Sequence, residues 1–182
     1  MPSDDIAPSA LAWEHSVRDI PESGLSHKRA ADADERAAVA RALDLVACAS
    51  LEAEYTIVPS MEGRYHLAGT LRAKVDQACV VTLEPISNTI EERFEVAFWP
   101  AEDIPAPTSG VVDLDDELDP EPIVAGQIAV GRVVFECLTA AIDPFPRKPD
   151  ATLDRTSTAP DGDDGGKPES PFAVLANLRP KD

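Results

Sequence analysis

The sequence predicts an α+β domain: an antiparallel sheet, with scope to curl toward a partial barrel, covered by one amphipathic helix. A second helix follows near the C-terminal end, and then a disordered acidic tail. Three observations predict this. Three runs of residues alternate apolar and polar side chains, the two-residue period of a sheet solvated on one face. Two other stretches space apolar residues at three and four, the period of a helix. The breaks between the strand-like runs (Pro59, Gly63, Pro85, Asn88) are short turn chemistry, which favours antiparallel neighbours over crossover connections.

The elements follow in order. Residues 1–12 read as a loose leader. Residues 13–20 (WEHSVRDI) alternate weakly, as a short strand ended by Pro21 and Gly24. Residues 32–50 read as the covering helix. Asp32 can cap it, with Glu35 three residues on as a capping box, and Val39, Leu43 and Val46 form the apolar stripe. The strands are expected at 51–58, 65–75 and 86–98. In the first, Leu51, Ala53, Tyr55 and Ile57 share a face; in the second, Tyr65, Leu67, Gly69, Leu71, Ala73 and Val75; in the third, Ile90, Phe94, Val96 and Phe98.

From Pro100 the character changes, and 12 of the 17 prolines lie at or beyond it. Residues 102–122 hold eight carboxylates and no base, which reads as an exposed loop with a short edge strand at 110–114. Val130, Val133, Val134, Cys137, Leu138 and Ala141 then give the second helix, expected over 128–142. Residues 150–170 are too polar to offset their ordering entropy and are expected to be disordered. The division is therefore a domain over 1–149, an acidic linker over 150–170 and a terminal apolar motif over 171–182.

The 182 residues carry 34 acidic and 16 basic side chains, a net charge of −18. Autonomous binding to a nucleic-acid backbone needs cations to displace counterions, and this mean field repels phosphate. A basic protein partner suits it. No apolar run has the ~18 residues that a membrane span needs, and the acidic N-terminal segment has no apolar core of a secretory signal. Three cysteines (Cys48, Cys79, Cys137) without C-x-x-C read as reduced thiols of a cytoplasmic protein, with Cys48 and Cys137 as small hydrophobes in helix-like segments.

Neither a catalytic nor a metal motif emerges. DLDDELD at 113–119 lacks the glycine and the distal Glu of a calcium loop. There is no phosphate-binding glycine loop, no nucleophile elbow and no paired base for a Cys nucleophile. The expectation is a non-enzyme without cofactor or metal. The partner-binding candidates are the acids Asp113, Asp115, Asp116 and Glu117 and the apolar Phe172, Val174, Leu175 and Leu178 of PFAVLANL (171–178). Burying each of those apolar side chains could contribute about 1.5–3 kcal/mol before entropy costs. The motif has two readings: a short helix docked on its own domain, or a linear motif that folds in a partner's groove.

QACVVTLEPI (77–86) followed by IEERFEVAFWP (90–100) resembles the signature region of the YceD family, the large ribosomal RNA subunit accumulation proteins of bacteria and plastids. DPEPIVAGQIAVGRVVFECLTAAIDPFPRKP (119–149), the polar tail and PFAVLANLRPK (171–181) agree in order, so the resemblance runs from about residue 32 to the end. Its motif residues here are Cys79, Thr82, Leu83, Glu84, Pro85, Asp143, Pro144, Pro146 and Arg147. The resemblance implies a non-catalytic cytoplasmic factor in ribosome assembly. Its implied partner is a basic large-subunit ribosomal protein or a pre-ribosomal particle, with rRNA reached indirectly and no membrane involved. Many relatives carry C-x-x-C where this chain has Asp76, Gln77, Ala78 and Cys79, so the resemblance carries no structural zinc over to it.

Two other functions compete. Arg64, Tyr65, Arg72 and Lys74, with Arg147 and Lys148, could form a direct rRNA-binding surface. A nuclease would rest only on the abundance of carboxylates.

Overall fold

The structure, a computed structural model, describes residues 10–104 and 120–152. The chain divides into a unit of Met1–Ala151 and a unit of Thr152–Asp182, and the fold belongs to the first. Among the described residues nine strands and α-helices follow one another: β1 (His15–Ser16), β2 (Leu25–Ala30), α1 (Ala33–Ala42), β3 (Ala47–Pro59), β4 (Tyr65–Ala78), β5 (Pro85–Pro100), β6 (Glu121–Ile123), β7 (Gln127–Ile128) and α2 (Val130–Ala141). The class is α+β. The main sheet is open, in the order β2-β3-β4-β5-β6, and a separate antiparallel pair joins β1 to β7.

The alternation places the strands. Leu51, Ala53, Tyr55 and Ile57 of β3, Leu67, Leu71, Ala73 and Val75 of β4, and Ile90, Phe94 and Phe98 of β5 are all buried on one face. Gly69 sits within β4 because nothing larger fits: a Cβ there would stand 2.6 Å from both the Glu54 carbonyl and the tip of Phe94. The opposite face is solvated and laced with polar pairs: Lys28–Glu52 (3.3 Å) and Arg72–Glu91 (2.8 Å) are ion pairs, and His66 Nε2 lies 2.8 Å from Glu95 Oε1.

Several local expectations are corrected. The capping box at Asp32 forms, with Glu35 N donating to Asp32 Oδ1 (2.8 Å) and Asp32 N to Glu35 Oε2 (3.0 Å). The helix that it starts ends at Ala42 rather than at residue 50. Asp44 then takes φ 52° and the chain turns into β3. A bulge between Cys48 and Ser50 shifts the register, so Cys48 and Leu51 both face the core three residues apart. That spacing imitates a helix, and Cys48 is a strand residue. The sheet is also mixed rather than wholly antiparallel, because β6 runs parallel to β5.

Coverage of the sheet differs too. α1 buries only Val39, whereas α2 buries Val130, Gly131, Val133, Val134 and Leu138. Part of the expected leader is core: Leu11 is fully buried, as is Trp13 just after it. They approach α2 closely at Gly131, whose N–H donates to the Trp13 carbonyl (2.9 Å) and where a Cβ would strike the Leu11 carbonyl. In place of a strand over 13–20 there are two residues of β1 and a 3-10 turn, Val17–Asp19. His15 anchors β1 through a 2.7 Å bond between Nε2 and the Tyr55 hydroxyl. Burial raises the Tyr55 pKa to about 12 and, with His27 and Arg29 nearby, lowers that of His15.

The expected edge strand at 110–114, most of the acidic loop and the linker from residue 153 on lie outside the described residues.

Candidate functional site

The site grows from the turn between β4 and β5. Ala78 pairs with Pro85 at the end of the ladder, and residues 79–84 close the loop. Cys79 N donates to the Glu84 carbonyl (2.8 Å), and Leu83 N to the Cys79 carbonyl (2.9 Å). This closure forces Leu83 to φ 60°, a left-handed conformation that costs a branched side chain about 1–2 kcal/mol.

A second segment, just past α2, locks onto this turn. Buried Gln77 donates from Nε2 to the Asp143 carbonyl (2.8 Å) and accepts from Asn88 Nδ2 at Oε1 (3.0 Å). Val80 N donates to the Pro146 carbonyl (2.9 Å). Asp143 Oδ1 in turn accepts the Phe145 N–H (2.9 Å), and Arg147 Nη2 donates to the Ala151 carbonyl (2.7 Å). An exposed ion pair, Lys148 Nζ to Glu84 Oε2 (2.7 Å), closes the rim. It lowers the Glu84 pKa and raises that of Lys148.

Cys79 sits at the centre of the junction, fully buried. Its Sγ accepts the backbone N–H groups of Thr82 and Lys148, each at 3.5 Å. With the Thr82 side chain contributing most, these bonds favour the thiolate and bring the pKa down to about 6, although burial acts the other way. The side chain that meets Sγ is that of Thr82. Asp76, the residue expected in a C-x-x-C pairing with Cys79, instead accepts from Ser87 Oγ at 2.5 Å. Among the described residues no group of three or more His, Cys, Asp or Glu side chains is placed to hold a metal ion.

The internal polar groups of this junction are engaged, and its tips are apolar. Leu83 is 77% exposed, Phe145 74% and Val80 52%. Three large apolar side chains are thus exposed on two interlocked loops. Of the motif residues, Cys79 and Pro146 are buried, whereas Thr82, Leu83, Glu84, Pro85, Asp143, Pro144 and Arg147 are exposed. Sequence reasoning passed over Val80, Phe145 and Gln77, and took Lys148 only as an RNA contact. The available signal was apolar residues set among turn-forming prolines, at 80–85 and 144–149.

The residues of the alternative rRNA surface do not all share one face. Tyr65 lies on the core face of β4 and bonds the Val17 carbonyl (3.4 Å), whereas Arg72 lies on the other face, paired with Glu91. Arg64 stacks on Trp99 at 4.0 Å and pairs with Glu62. Lys148 is held by Glu84. The partner-binding candidates Asp113, Asp115, Asp116, Glu117, Phe172, Val174, Leu175 and Leu178 lie outside the described residues.

The family profile described as "Large ribosomal RNA subunit accumulation protein YceD" matches residues 67–179. The chain belongs to the YceD family. The match takes in β4, β5, both interlocked loops and α2, so the Cys79 junction lies inside the region that defines YceD membership. The YceD name places the chain in the accumulation of large-subunit ribosomal RNA. No curated protein and no solved structure matches it. Among the described residues, no helix is long and apolar enough to cross a membrane.

Proposed function

We propose that this YceD chain is a non-catalytic, cytoplasmic factor in large-subunit assembly that binds a basic large-subunit ribosomal protein or the pre-ribosomal particle carrying it. RNA is reached through that partner. The observation that carries the reading is the Cys79 junction: a buried polar framework holds Val80, Leu83 and Phe145 out in solvent on two family-motif loops. Such a surface suits protein rather than phosphate. The net charge of −18 supports a basic partner and repels bare RNA.

The test is co-sedimentation of the full chain with pre-ribosomal particles at low and high salt. Wild type is expected to sediment with them, more weakly as salt screens the charge. Leu83→Gly should lose capture while relieving the backbone strain at that position. Failure of wild type to sediment with any ribosomal protein or particle at any salt would overturn the proposal. So would binding to protein-free rRNA as tight as binding to the particle.

A further inference from the structure

A groove of about 730 Å³ opens away from the Cys79 junction, between α2, the β6–β7 turn, the end of α1 and Ala10. Its floor is Phe98 and Val133, both buried. Small residues keep it open: Ala10, Ala42, Ala125 and Ala129 line it where larger side chains would fill the space. The turn that forms one wall is tightly held. Gln127 N donates to the Val124 carbonyl (2.9 Å), and Ala125 (φ 50°) and Gly126 (φ 72°) both take the left-handed conformation. Val124 is left 57% exposed on that wall.

The rim is net acidic. Among the described residues Glu14, Glu121 and Glu136 line the groove against one base, Arg132. That guanidinium is already shared between Glu136 (2.7 Å) and Glu121 (3.2 Å). An apolar floor inside a carboxylate rim favours an apolar segment bearing cations, and disfavours nucleic acid or an acidic peptide.

We infer that this groove seats a short apolar segment of a partner protein flanked by Lys or Arg. The inference rests on the basic-partner reading above and gives that partner a second point of attachment. The probe is a labelled synthetic peptide of about a dozen residues, with Leu and Phe anchors flanked by Lys. Two counterparts are compared: one with Glu for Lys, one with Ser for Leu and Phe. Binding to the full chain is read by fluorescence anisotropy.

The Lys peptide is expected to bind, and both counterparts to bind about tenfold or more weakly. The full chain carrying E14K and V124K, both surface changes, should lose a similar factor with its melting temperature unchanged. Equal binding by that variant or by the Glu peptide would overturn the inference. Tighter binding by a full chain carrying L175D and L178D would also overturn it, because the groove would then belong to PFAVLANL. Self-association of wild type that E14K and V124K abolish would give the groove to a second copy. The particle assay separates the two proposals. If E14K and V124K leave both particle capture and peptide binding intact, the groove inference fails and the broader reading stands. If wild type captures no particle, the broader reading fails and the peptide comparison still decides the groove.

Discussion

The solvated face of the sheet and the Cys79 junction are both surface regions, and they use their polar groups in opposite ways. On the sheet face, cations and carboxylates meet one another in solvent, as at Arg72–Glu91 and Lys28–Glu52. At the junction, polar groups turn inward. Gln77 and the Cys79 sulfur hold two loops together, and apolar side chains are left outside. A face whose charges satisfy each other gives a partner little to gain. A stiff framework presenting Leu83 and Phe145 has already been ordered before any partner arrives, so less entropy is lost on binding.

The comparison breaks most readily at its apolar tips. L83D with F145D should reduce capture of the ribosomal particle about tenfold or more, while stability to urea stays within about 0.5 kcal/mol, as expected for exposed sites. Equal capture would remove the functional distinction between the two surfaces.

Removing the framework should cost stability. Gln77→Ala leaves the Asp143 carbonyl and the Asn88 amide without their buried partner, for a loss of about 1–3 kcal/mol in urea melts. Amide exchange at Phe145 should accelerate at the same time. An unchanged melt would mean that the loops are held by something else.

The thiol gives a pH test. The Cys79 pKa falls to about 6 in the folded chain, from an unfolded value near ~8.5. A folded pKa below the unfolded one means that the contribution is present at alkaline pH. It is lost as pH falls through that window toward 6. Thiolate absorbance should titrate with a midpoint near 6, and Cys79→Ala should remove this part of the pH dependence. His15 adds a separate loss: its lowered pKa means that stability drops below about pH 6.5, where the unfolded imidazole takes up a proton. His15→Gln isolates the Cys79 effect from it. A Cys79 midpoint at the ordinary thiol value would show that the N–H groups do not hold the thiolate.

The smallest effect belongs to the sheet face. A double-mutant cycle on Arg72 and Glu91 should give a coupling below about 1 kcal/mol, shrinking with salt, and R72A should leave particle capture unchanged. A large coupling, or lost capture, would move function onto the sheet face and erase the contrast with the junction.

Much of the architecture was legible. The alternation in the three long strands, the capping box at Asp32 and Glu35 and the spacing of α2 are local patterns that reach the structure with shifted ends. Other features were hidden for identifiable reasons. β2 (LSHKRA) has one aliphatic residue beyond its terminal Ala and shows no alternation. The bulge at Cys48–Ser50 put two core residues on opposite parities. Leu11 stood in the expected leader and Trp13 opened only a weak alternation, and both became core through their close approach at Gly131.

The sequence by itself determined which stretches alternate, where the first helix begins, how acidic the chain is and which motifs it carries, because each depends on near neighbours along the chain. Only the tertiary structure decided that Gln77 meets Asp143, 66 residues away, and that Cys79 Sγ meets the N–H of Lys148, 69 residues away. Two polar turns, each ordinary alone, became one stiff junction with apolar tips. A buried acceptor and a buried donor find partners only when the packing of the sheet and α2 brings distant loops together, and no local pattern encodes that meeting.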